Sequence, residues 1–278
     1  MPSRTVHEVG TVGRGSDGFE EASPTATATL ARRSRVSRAS TLAGRKHHRA
    51  SRVGPAAYTA LVRLPEPVSL VGRFVRLDPV TPDDLPALAA ILAEPAVYAS
   101  GYAMRRRPET PEEAIASARA QYLGAAPCDG RGQGSVVFVV RLLADSPLGA
   151  AGEVVGTTSL GEAFATHERL HLGWTLYHPR VWGSVVNPEA KYLLLRHCFE
   201  ELGAGRVKIQ TDAINARSAA AIERLGATRE GVLRRHSRRE DGSFRDTVVF
   251  SVLGTDWPRV AAGLLARLDS AGSGGTAR

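Results

Sequence analysis

The run Trp182-Gly183-Ser184-Val185-Val186-Asn187-Pro188-Glu189 stands between a β-rich segment and a helix-forming one. Asn187 suits a helix N-cap, and Pro188 suits the first helical position. Such a junction leaves several backbone N–H groups free and points the positive end of the helix at the loop. It suits an anion, and a pyrophosphate in particular. A second run, Thr211-Asp212-Ala213-Ile214-Asn215-Ala216-Arg217-Ser218, has the same strand-loop-helix form. Asn215 is placed to cap the helix, with the Ser218 hydroxyl in its first turn. Taken singly, Asn215 is a cap and Ser218 a first-turn polar residue. Taken together, two parallel strand-loop-helix units bring both helix starts to one sheet edge. A nucleotide's phosphates could then sit at the first start, and a thioester could reach the second.

A proton acceptor is harder to place. His171 lies in a strand-like segment and offers a titratable imidazole. It reads either as a general base or as a strand residue facing solvent or a neighbouring helix. Glu153 and Glu162 are further base candidates, although acids in turns and strands are usually solvated, and water can fill the role. Cys198 sits between Leu194 and Leu202 on an apolar helix and reads as core. Cys128 falls in a loop where exposure is expected, and its neighbour Asp129 would raise the thiol pKa. His47 and His48 have no matching ligands, so no metal site is expected. Arg234, Arg235, Arg238 and Arg239 straddle a strand and a turn, as a solvated face or as a dock for an anion. Trp174, Tyr177 and Trp182 serve either core or cleft.

These residues need a frame. Alternating apolar positions predict a strand over residues 68–80. Thr81-Pro82 opens a helix with Leu85, Leu88, Ala89 and Leu92 on one face, and Thr110-Pro111 opens another to about Leu123. Residues 135–143 are rich in valine, and with 153–160 and 169–177 they read as an antiparallel meander. A helix over 188–202 stops at Gly203, a strand spans 206–212, and a helix over 216–225 stops at Gly226. Strands at 227–236 and 244–253 meet at Asp241-Gly242, a hairpin signal. A short helix over 256–268 closes the pattern. The order β-α-α-β-β-β-α-β-α-β-β indicates an α+β domain with a mixed sheet.

Bulk properties narrow the class. The chain has 278 residues, 43% of them hydrophobic, enough for a sizeable core. Its formal charge of +8 is concentrated at the N-terminal end, where residues 1–57 hold ten Lys or Arg and four acids. Residues 1–65 are Arg-, Ser- and Ala-rich without periodicity and read as a disordered basic tail. Nucleic-acid or ribosome contact by that tail is the minor reading. Two widely spaced cysteines fit a reduced, cytoplasmic protein. No apolar run is long enough for a membrane span, and no membrane contact is expected.

The runs quoted above, with Gly173-Trp-Thr, Lys208-Ile-Gln-Thr-Asp212, Ile222-Glu-Arg-Leu-Gly-Ala227, Glu230-Gly-Val-Leu-Arg234 and Asp241-Gly-Ser-Phe-Arg-Asp-Thr247, resemble the GNAT superfamily of N-acetyltransferases. The branch they are most similar to is that of the ribosomal-protein N-terminal acetyltransferases (RimJ/RimL-type). The resemblance covers about residues 66–258 and is strongest over 152–258. It implies the GNAT fold, α+β with a mixed, mostly antiparallel sheet of about seven strands and flanking helices. Residues 259–278 are left as a terminal helix and loose tail. It implies acetyl-CoA as co-substrate, held by Trp182, Gly183, Ser184, Val185, Val186, Asn187 and Asn215, without a metal. It implies direct attack by a primary amine, either a protein N-terminal α-amine or a small-molecule amine, in a ternary complex. Ser218 is implied as proton donor to the leaving thiolate. The chain would be a monomer or homodimer.

Two positions depart from the pattern. Val185 stands where a small residue is usual, and a Cβ-branched side chain disfavours positive φ. His171 stands where glutamate is common. These departures motivate a competing reading as a non-catalytic CoA-binding scaffold or sensor.

Overall fold

The computed structural model describes residues 62–102 and 104–273. Residues 1–61, most of the basic tail, therefore lie outside the described residues. The described elements are β1 (Leu70–Val71), β2 (Val75–Pro79), α1 (Leu85–Ala93), α2 (Pro95–Ala99), α3 (Pro111–Tyr122), β3 (Ser135–Leu142), β4 (Val154–Phe164), β5 (Arg169–Tyr177), α4 (Val186–Arg196), β6 (Arg206–Asp212), α5 (Ala216–Arg224), β7 (Thr228–Arg238), β8 (Phe244–Leu253) and α6 (Trp257–Ser273). One sheet of eight strands runs in the order β1-β2-β3-β4-β5-β6-β8-β7. Every neighbouring pair is antiparallel except β5 and β6.

The valine run of β3 explains the layering. Val136, Phe138 and Val140 enter one core with α4 and α6, whereas Val137 and Val139 face α1 and α3 on the other side. A central strand buried on both faces reads as an unbroken apolar run rather than an alternating one. On the first face, α6 contributes buried Trp257, Val260, Leu264 and Leu268.

The structure differs locally from the expectations at five points. The strand expected over 68–80 is a hairpin, broken at Gly72–Phe74. Its cause is Glu189 of α4, whose buried carboxylate accepts the backbone N–H groups of Arg73, Phe74 and Val75 at 2.6 to 2.7 Å. The sheet has eight strands rather than about seven because that split adds one. Helix α4 starts at Val186, with Val185 rather than Asn187 at its N-cap. The Ser184 hydroxyl accepts the Val186 N–H at 3.3 Å, so the helix is satisfied earlier than Asn187 would allow. After Arg196 the helix widens into a π-turn over His197–Glu201. Finally, Cys128 is buried, because its loop folds back onto the end of β4.

Candidate active site

Two arms diverge from a fork in the sheet. Strands β5 and β6 pair through only three rungs: Arg169 with Arg206, Leu170 with Val207, and His171 with Lys208. Beyond them each strand continues without the other, β5 to Tyr177 and β6 to Asp212. Their facing backbone groups form an edge inside the sheet, where a ligand with amides of its own can pair.

The β5 arm carries a bulge. Ser159 pairs with Gly173 and Thr157 with Leu176, so Thr158 faces both Trp174 and Thr175. Trp174 takes φ +50°, which turns the strand's groups out of the regular ladder. Its indole is 52% exposed, and Ile214 on the opposite arm is 60% exposed. One large apolar side chain thus stands free on each arm.

From β5 the chain passes a short 3-10 turn, Pro179–Val181, into the loop before α4. Gly183 takes φ +77°, a conformation that disfavours any other residue. Val185 takes φ −70° and ψ −17°, ordinary helical angles. The branched side chain is therefore unstrained, and the concern raised by its type does not arise. The Ser184 N–H is used by the Val181 carbonyl, and the Val186 N–H by the Ser184 hydroxyl. The N–H groups of Gly183, Val185 and Asn187 have no partner among the described residues. They lie free at the positive end of α4, where backbone donors suit an anion. Arg180 of this arm pairs with Glu153 at 2.5 Å, which removes Glu153 as a free base.

On the β6 arm Asn215 caps α5, its side-chain oxygen accepting the Ser218 N–H at 2.9 Å. The loop before it is braced from below. Buried Asp212 accepts from Arg239 through both oxygens, at 2.7 to 3.0 Å. One member of the arginine cluster is thereby structural. Arg235 and Arg238 lie over the Phe244 ring. From above, Gly101 presses on the arm, and a Cβ there would sit 2.9 Å from the Asn215 Cα. Arg217 reaches across to the other arm, 3.6 Å above the Trp182 ring, and donates to the Ser100 hydroxyl at 3.2 Å.

At the fork itself sits His171, which is 2% exposed. Its Nδ1 lies 3.0 Å from Glu162 Oε1, within reach of an ion pair once the ring is protonated but outside hydrogen-bond alignment. Glu162 also holds Lys208 at 2.5 Å. Burial pushes the His171 pKa below its usual 6.5, and the Glu162 carboxylate opposes that shift. The neutral imidazole is thus the resting form near pH 7. Contact with His171 and Lys208 pulls the Glu162 pKa down to about 2. The His171 ring is 4.6 Å from that of Trp174.

The structure brings Trp182 through Asn187 to one arm and Asn215 with Ser218 to the other. It puts His171 at their junction. No contact joins Ser218 to His171 among the described residues. Sequence reasoning gave no role to Lys208, Asp212, Arg217 and Lys191. Lys191 had a signal: a lysine amid Ala190, Leu193, Leu194 and Leu195 is out of pattern. A cavity of about 170 Å³ lies elsewhere, between the α2–α3 loop and the β7–β8 turn, bounded by Tyr98, Glu113, Gln121 and Glu240. No metal-binding group occurs among the described residues. No helix among them is long and apolar enough to cross a membrane.

Comparison with known proteins agrees with this geometry. Residues 75–228 match the family model described as an acetyltransferase (GNAT) domain. A T. thermophilus protein assigned as an acetyltransferase is 41% identical, with a TM-score of 0.61, over 73% of this chain and 98% of that one. A GCN5-related N-acetyltransferase from Brucella melitensis shares the fold at 24% identity and TM-score 0.65, over 74% of this chain and 88% of that one. So does Mycobacterium smegmatis RimJ in complex with CoA-disulfide, at 20% identity and TM-score 0.54, over 74% of this chain and 97% of that one. A search of curated proteins gave no significant match. A family match over residues 75–228 and 41% identity to a structure covered almost entirely place this chain, with its forked sheet, in the GNAT acetyltransferase family, as an acetyl-transferring enzyme.

Proposed function

We propose that the enzyme moves an acetyl group from acetyl-CoA to a primary amine by direct attack. The observation that carries this reading is the fork. Three free amides wait at the end of the β5 arm, and a bulged, unpaired backbone leads toward them. The pyrophosphate is held by the Gly183, Val185 and Asn187 amides, with Trp182, Ser184 and Val186 shaping the loop. The pantetheine chain lies along the β5 edge, and Asn215 contacts it from the other arm.

The amine lone pair attacks the thioester carbonyl carbon, forming the C–N bond. The C–S bond then breaks as the Ser218 hydroxyl donates a proton to the leaving thiolate and regains one from the nitrogen of the tetrahedral intermediate. A thiolate of ordinary pKa leaves readily, so this help is modest. The proton lost by the acceptor ammonium goes to His171, and Glu162 beside it stabilises the imidazolium. The favoured acceptor is a protein N-terminal α-amine, as in the RimJ/RimL-type branch that the sequence motifs resemble.

Two measurements test this. Calorimetry with acetyl-CoA should give micromolar binding. Thiol release with a panel of amino-terminal peptides and small amines should reveal an acceptor. A folded sample that does not bind acetyl-CoA would refute the assignment. Release with small amines alone would move the acceptor to that class.

A further inference from the structure

Lys191 is a buried cation without an acid. It stands on α4 with 4% exposure. Its Nζ donates to Thr175 Oγ1 at 2.6 Å and to Thr158 Oγ1 at 3.2 Å, and the two hydroxyls are 2.8 Å apart. No carboxylate pairs with it among the described residues. Glu162, the acid at the fork, is engaged by Lys208 and His171. Removing an ammonium from water without a counter-charge is costly, so stability alone does not account for a lysine here. Burial drops its pKa from 10.5 to about 7.

The partners of Lys191 are the reason to look further. Thr158 is the β4 residue that faces the bulge, and Thr175 is the second residue of the bulge itself. The Thr175 hydroxyl also lies 3.5 Å from the Gly173 carbonyl, just before Trp174. The three polar groups thus tie together both sides of the irregular rung. A bulge lacks the ladder bonds that fix a regular strand, so its geometry must be held by something else.

We propose that Lys191 is a positioning residue for acetyl transfer, which fixes the β5 bulge through Thr175 and Thr158 and so aims the strand's backbone at the thioester. This rests on the acetyl-CoA reading given above. Lys191 does not touch the reacting atoms. It acts through two hydroxyls, and a small misplacement at such a site is enough to slow a reaction strongly.

The test compares Lys191→Met, Thr175→Val and Thr175→Ser in the full chain. It reads kcat in the thiol-release assay, acetyl-CoA Kd by calorimetry, and Tm. Lys191→Met should lower kcat about tenfold or more while acetyl-CoA Kd stays within about twofold. Its Tm should hold or rise, because an uncompensated charge is replaced by an apolar chain of similar length. Thr175→Val, which removes only the hydroxyl, should lower kcat in the same way, and Thr175→Ser should restore it relative to Thr175→Val. Wild-type kcat in both Lys191→Met and Thr175→Val overturns the proposal. So does a kcat loss that comes with a lower Tm and weaker Kd, since that pattern is merely structural. A wild-type protein that neither binds nor turns over acetyl-CoA removes the underlying reading instead, and the proposal with it.

Discussion

His171 is buried at the point where the two arms part, and its environment sets a pH signature. Burial lowers its pKa, so the acid limb of kcat/KM should have its midpoint below 6.5. Glu162 favours the imidazolium, so Glu162→Gln should move that limb lower still. A pH–rate profile checks both, and a midpoint above 6.5 excludes His171 as the acceptor. His171→Asn should cost about a hundredfold in kcat. Lys191 gives a separate signature in stability. Its folded pKa is depressed to about 7 from 10.5, so between those values the unfolded chain binds more protons. Stability from this group therefore rises as pH climbs from about 7 to about 10.5. Denaturant titrations across that window should show the slope in the wild type and lose it in Lys191→Met. At this scale the sequence was legible where a residue type implies a local act. Asn215 as a cap is such a case, since its partner lies three residues away. Glu162 was legible as a base candidate, but its ties to His171 and Lys208, and those of Lys191 to Thr158 and Thr175, were not, because different elements bring these residues together.

Helix α4 is aimed by one carboxylate. Glu189 takes three backbone N–H groups of the β1–β2 turn, and Gly72 lets it approach, since a Cβ there would sit 2.6 Å from the Glu189 carboxyl carbon. Glu189→Ala would leave three amides without partners, at about 1–3 kcal/mol for each one that stays buried. Urea unfolding should show a loss of about 3 kcal/mol or more. Acetyl-CoA affinity should fall as well, because the loop amides ride on this helix. Gly183→Ala is a milder probe. A Cβ there meets nothing within 4 Å, so only the positive φ opposes it, at about 1–2 kcal/mol. The expected result is weaker acetyl-CoA binding with little change in kcat. Element boundaries were readable wherever punctuation was local, as at Thr110-Pro111 or Gly226. They failed where a distant group intervened. Glu189 split a strand more than a hundred residues away, and Ser184 began a helix before its obvious cap.

At the scale of the whole molecule, the two arms are held apart by contacts remote from the cleft. Asp212 with Arg239 fixes one arm from the β7–β8 hairpin, and Glu189 fixes the other from the β1–β2 hairpin. Arg217 over Trp182 is a direct tie between them. From β3 onward the order of elements was visible in the chain, and so was the antiparallel meander of β3 to β5, whereas the split of β1 from β2 and the short α2 were not. The parallel placing of β5 beside β6 followed from the two strand-loop-helix runs and the family resemblance, but the point where their pairing stops, after three rungs, was not legible. Periodicity says that a strand exists but not where its partner stops.

That interior edge bears on how the protein must be handled. Exposed strand edges are commonly blunted at the rim of a sheet, yet here unpaired backbone lies in the middle, flanked by Trp174 and Ile214. Unpaired strand backbone is a template for other extended chains. On the reading proposed above, the pantetheine arm of CoA carries amides that suit this edge. CoA added during purification should then act as a plug and keep the preparation monodisperse on storage.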